Sequence, residues 1–79
     1  MDKFNVQLQS IDSVKAFVTA ANIMGCEIDV LSDRYLVDAK SIMGLFSLDL
    51  AKPVTVQVHG TPQEQDRFYH EVEALVVKG

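Results

Sequence analysis

The chain has 79 residues, 48% hydrophobic and 23% charged, which suits one small domain over residues 1–79 with a limited core. Its net charge is −4, and its basic residues (Lys3, Lys15, Arg34, Lys40, Lys52, Arg67, Lys78) are scattered, which argues against the clustered positive surface of a nucleic-acid binder. The apolar runs are too short to span a membrane, the opening MDKFNVQLQ lacks the form of a secretory leader, and Cys26 has no partner for an internal disulfide, so a cytoplasmic protein is expected.

In chain order, KFNVQLQ (residues 3–9) puts Phe4, Val6 and Leu8 on one face and Asn5 and Gln7 on the other, the period of a half-buried strand. In SIDSVKAFVTAANIMG (residues 10–25), Val14, Phe17, Val18 and Ala21 fall on one helical face. Ser10 suits its N-cap and Gly25 its C-terminal stop. CEIDVLS (residues 26–32) alternates again, Cys26, Ile28 and Val30 against Glu27 and Asp29, and Cys26 is read as a small apolar group. RYLVDA (residues 34–39) follows Ser32-Asp33, which suits a tight hairpin. A short helix is expected within residues 41–49, then a strand over PVTVQVHG with Val54, Val56 and Val58 inward. The last segment opens with a capping box: Thr61, Pro62 at the first helical position, and Glu64 three residues after the cap. Phe68, Val72, Leu75 and Val76 form its expected buried stripe.

The order is therefore β-α-β-β-α-β-α, an α+β domain in which a four-stranded antiparallel sheet is covered on one face by helices. Catalytic constellations are missing from the sequence. There is no nucleophile–base pair, no metal-ligand spacing and no glycine-rich phosphate loop, since Gly25, Gly44, Gly60 and Gly79 each stand alone. No enzyme activity, metal or cofactor is expected. His59 and His70 are read as a strand-end side chain and a helix-surface side chain.

Over residues 3 to about 76 the sequence resembles HPr, the phosphocarrier protein of the sugar phosphotransferase system. The most specific stretch is KSIMGLFSL, residues 40–48, which looks like the regulatory-serine segment of HPr proteins from Gram-positive bacteria. The resemblance implies an open-faced β-sandwich with sheet order 1-4-2-3. It also implies a phosphoryl-carrying histidine at the start of the first helix, within a Gly-apolar-His-Ala-Arg-Pro motif. Here the corresponding stretch, QSIDSVKAFV, is about three residues shorter and holds Ser10, Asp12 and Ser13 with no His, Arg or Pro. Serine there lacks an activating base, and an acyl phosphate on Asp12 would need a metal site that the sequence does not show. Loss of carrier activity is the expectation.

By the same resemblance, Ser41 is the target of an ATP-dependent HPr kinase/phosphorylase, and the modified protein would act with a LacI-type catabolite-control regulator. Partners are then proteins, with no nucleic acid or membrane contacted directly. Lys40, Ile42, Met43 and Phe46 are assigned to partner binding, with Ile42, Met43 and Phe46 as an exposed apolar patch and Leu45 and Leu48 inside. Asp49 stands where the family usually has glycine. Against this regulatory or adaptor reading stands a second one, a structural or self-associating domain in which Ser41 only caps a helix, a bond worth about 1 kcal/mol.

Overall fold

The computed structural model describes residues 2–33 and 35–77. Strands β1 (Lys3–Val6), β2 (Glu27–Ser32) and β4 (Val54–His59) form where apolar and polar residues alternate, and β3 (Tyr35–Asp38) follows the hairpin turn after β2. They pair antiparallel in the order β1-β4-β2-β3, as the resemblance implied. The register sets Phe4 and Val30 on either side of Val56, so the inward side chains of three strands meet in one row. The helices are α1 (Ile11–Ile23), α2 (Ile42–Phe46) and α3 (Pro62–Glu71). Their buried side chains join those of the strands in a single core. Phe17 of α1 and Phe68 of α3 meet edge-on there at 5.6 Å, and Phe4 packs against Tyr69 at 5.1 Å.

Local chemistry explains the boundaries. The Ser10 hydroxyl accepts the Ser13 N–H at 3.0 Å and starts α1. The helix ends at Met24, whose backbone is extended, one residue before the expected stop at Gly25. At α3 the capping box closes in both directions, Glu64 N–H to Thr61 Oγ1 at 3.2 Å and Thr61 N–H to Glu64 Oε1 at 2.9 Å. A Cβ at Gly60 would stand 2.8 Å from Glu64 Oε1 and 3.0 Å from Cys26 Sγ, so a side chain there would press on the capping carboxylate. In the β2–β3 hairpin Asp33 takes a left-handed φ of 52°, which its short polar side chain tolerates. Arg34, which the sequence reading placed in the following strand, lies outside the described residues.

Two expectations need correction. The last helix stops at Glu71, so Leu75 and Val76 do not belong to its stripe. The chain instead makes a 3-10 turn over Glu73–Leu75 and lies along the outer edge of β1. Gln7 N–H donates to Leu75 O and Val77 N–H to Asn5 O, both at 2.9 Å, around a Val6–Val76 bridge. Satisfying that strand edge outweighs continuing the helix. The second correction is at β1, which ends at Val6, although Leu8 is still fully inside the core.

The opposite sheet face meets solvent, with Asn5, Glu27, Asp29, Leu36, Asp38, Thr55, Gln57 and His59 in the alternate positions. His59 is a strand-end side chain, as expected, and its Nε2 lies 2.8 Å from Asp29 Oδ2 on the neighbouring strand, a cross-strand pair. His70 is exposed in α3, 3.9 Å from Glu73.

Candidate functional site

The region around Ser41 is built by the turn that leaves β3. Asp38 reverses the chain: its carboxylate accepts the Lys40 N–H at 2.9 Å and its carbonyl the Ser41 N–H at 3.0 Å. Ala39, fully buried, donates its N–H to Ile28 O at 2.9 Å and anchors the turn to β2. Ser41 follows with an extended backbone (φ −103°, ψ 105°) and an exposed side chain. Its hydroxyl accepts the Gly44 N–H at 3.2 Å, and its carbonyl accepts the Leu45 N–H at 3.1 Å. Ser41 is thus the N-cap of α2, as its position in the sequence predicts.

Gly44 gives the serine its room. A Cβ at position 44 would lie 3.3 Å from Ser41 Oγ and 3.4 Å from Val37 Cβ, so a larger side chain there would press on both. The first turn of α2 carries no acidic residue. A phosphate placed on Ser41 would therefore meet the partial positive charge of the helix start without a neighbouring carboxylate in that turn.

The expected apolar patch divides. Met43 is 78% exposed and Phe46 46% exposed, whereas Ile42 is half-buried and packs on the core. Leu45 and Leu48 are inside, as expected. A five-residue helix has room for an inner and an outer side, and Ile42 falls on their border. Lys40 is half-buried, and its ammonium donates to the Met24 carbonyl at 2.9 Å. That bond places a cation at the negative end of α1 and ties the α2 entry to it. Asn22 adds a bond to Val18 O at 2.9 Å and a longer one to Lys40 O at 3.5 Å. The exit from α2 is held by a residue that no local sequence signal marks. Gln7 Nε2 donates to Leu50 O at 3.3 Å and to Ala51 O at 3.2 Å, and Asp49 accepts the Ala51 N–H at 3.2 Å.

The start of α1 is built differently. The Ser10 and Ser13 hydroxyls are 2.8 Å apart, Asp12 is exposed in the first turn, and Ile11 is 62% exposed. Neither histidine stands there, since His59 ends β4 and His70 lies in the last turn of α3. Among the described residues no three His, Cys, Asp or Glu side chains are placed to hold a metal ion. No described helix is long and apolar enough to cross a membrane.

Known proteins match the chain through its fold. It aligns over 94% of its length with HPr-C-His from Thermoanaerobacter tengcongensis, covering 93% of that chain at 23% identity and a TM-score of 0.75. It covers 94% of a phosphocarrier protein HPr from Bacillus anthracis with 92% of its own length, at 24% identity and a TM-score of 0.74. A histidine-containing phosphocarrier protein from mycoplasma matches 98% of this chain and 99% of its own, at 15% identity and a TM-score of 0.72. No curated protein sequence matches closely enough to establish a relationship. The family model for the PTS HPr component phosphorylation site, however, matches residues 12–78. With its sheet order and helices as described, the chain belongs to the HPr family of the sugar phosphotransferase system.

Proposed function

We propose that this chain is a non-catalytic regulatory or adaptor member of the HPr family that docks proteins through α2 and is controlled by phosphorylation of Ser41. The observation that supports this most is the pairing of an exposed N-cap serine with two outward apolar side chains, Met43 and Phe46, on the same short helix. Large apolar groups left in water beside a polar rim favour a protein partner. HPr-family proteins work by contact with other proteins of their system, which agrees with that use.

The carrier role is lost on this reading. Ser10, Ile11, Asp12 and Ser13 occupy the start of α1, where the family places its histidine. The Ser10 hydroxyl is engaged with Ser13 rather than with a base that would activate it. Phosphorylation of Ser41 would instead be done to the chain by an HPr kinase/phosphorylase. The hydroxyl oxygen attacks the terminal phosphorus of ATP, its proton passes to the kinase, and ADP leaves. The product carries close to two negative charges at the start of α2, beside Met43, which changes the surface a partner meets without unfolding the helix. A LacI-type catabolite-control regulator is the partner this predicts, and the cytoplasm the compartment. The 3.2 Å bond from Gly44 favours a second reading, in which Ser41 acts as a cap alone.

The two readings separate in a titration of the isotope-labelled protein with an HPr kinase/phosphorylase, followed by amide NMR. Docking through α2 is expected to move the amides of residues 41–47 and leave β1 and the solvent face of the sheet unchanged. Saturating kinase with no change at α2 would contradict the proposal.

A further inference from the structure

The two edges of the sheet are treated differently. The outer edge of β1 is closed by residues 75–77 through the Gln7–Leu75 and Val77–Asn5 backbone bonds. The outer edge of β3 has no such cover among the described residues, and Tyr35 and Leu36 on it are 65% and 60% exposed. The hydrogen-bond pattern shows which groups are left over. Ala39 N–H donates to Ile28 O, so in this antiparallel pair residues 39, 37 and 35 turn their backbone groups toward β2. Leu36 and Asp38 therefore turn theirs outward. The Asp38 carbonyl is taken by the Ser41 N–H, which leaves the Leu36 N–H and C=O and the Asp38 N–H facing away from the sheet. Unpaired groups in that direction call for an extended strand.

We propose that a second copy of this chain supplies that strand, β3 pairing antiparallel with β3 about a two-fold axis at Leu36. The edge is complementary to itself in this register. Leu36 meets Leu36 of the second copy on the solvent face and exchanges both backbone bonds with it. Tyr35 meets Val37 on the helix side, an aromatic against a β-branched residue, which is a favourable cross-strand pair. A shift by one residue would turn inward-bonded groups to the edge and lose the match. The sheet would become eight-stranded, four strands from each copy, with α2 and Ser41 remaining on the outside of each half. This surface is separate from the Met43–Phe46 patch and does not depend on the function proposed above.

A contact of one short strand buries far less than the ~1,600 Å² of a stable complex, so association is expected from roughly 0.1 to 1 mM upward. Amide spectra recorded from about 50 μM to about 2 mM are expected to shift at residues 32 and 35–38 with concentration. Leu36→Lys should abolish those shifts and Met43→Asp should leave them intact. A covalent readout guards against variants that perturb the fold. In a Cys26→Ser background, Leu36→Cys is expected to form a disulfide-linked dimer under mild oxidation, since directly paired residues stand about 5.5 Å apart at Cα, within disulfide reach. Met43→Cys in the same background is expected to cross-link at least about tenfold more slowly, having no such pairing. The proposal is overturned if spectra do not change up to the highest concentration, if the shifts lie on α2 and vanish in Met43→Asp, or if the two cysteine variants cross-link at equal rates.

Discussion

Ser10 and Ser41 open α1 and α2 with the same bond, a hydroxyl oxygen accepting the N–H three residues on, at 3.0 Å and 3.2 Å. Their surroundings differ. Ser10 lies 2.8 Å from the Ser13 hydroxyl, and Asp12 already places a carboxylate at the positive end of α1. Ser41 faces a glycine, has no acid in its first turn, and sits beside Met43 and Phe46 in solvent. A capping serine is thus not a site by itself. What distinguishes Ser41 is a first turn without an acidic residue and the exposed Met43 and Phe46 beside it, the features on which the proposed phosphorylation and docking rest.

The sharpest contrast is expected between the inner and outer sides of α2. Leu45→Ala removes a fully buried side chain and should cost about 2–5 kcal/mol, while Met43→Ala should stay within about 0.5 kcal/mol, both read from denaturant unfolding. Next, Gly44→Val crowds Ser41 Oγ and Val37 and should cost about 1–3 kcal/mol, with slower modification of Ser41. Losing a cap is smaller. Ser10→Ala should destabilise by about 1 kcal/mol and Ser41→Ala by about 0.5 kcal/mol, since α1 has thirteen residues and α2 five. Smallest is Asp12→Asn, about 0.3–0.5 kcal/mol through the helix dipole, and this effect should fade with added salt. If Ser41→Ala proves costlier than Ser10→Ala, the capping role at α2 is greater than its length implies.

Local signals carried most of the fold. Alternation located β1, β2 and β4, the Ser32-Asp33 turn pointed to β3, and Thr61-Pro62 with Glu64 marked the start of α3 to the residue. The strand order came from resemblance, because periodicity holds no information on which strands are neighbours. What the sequence hid depends on contacts far apart in the chain. Leu75 and Val76 continue the helical spacing, and nothing local shows that β1 offers them an edge to pair with. Lys40 looks like a surface cation until the Met24 carbonyl is found 2.9 Å from it. Gln7 falls on the polar face of an alternating strand in the sequence, yet its side chain reaches across 43 positions to hold the exit of α2. At α2 itself, four apolar side chains in a five-residue helix could not be sorted by spacing, and the core took part of Ile42.

The account turns on Ser41, so the most direct measurement is incubation of the purified chain with an HPr kinase/phosphorylase and ATP, followed by mass spectrometry of its peptides. One phosphate on Ser41 is predicted, absent from Ser41→Ala, with none on Ser10 or Ser13. No transfer under conditions that fully modify a true HPr, or phosphate that persists in Ser41→Ala, would contradict it and leave Ser41 as the cap of α2.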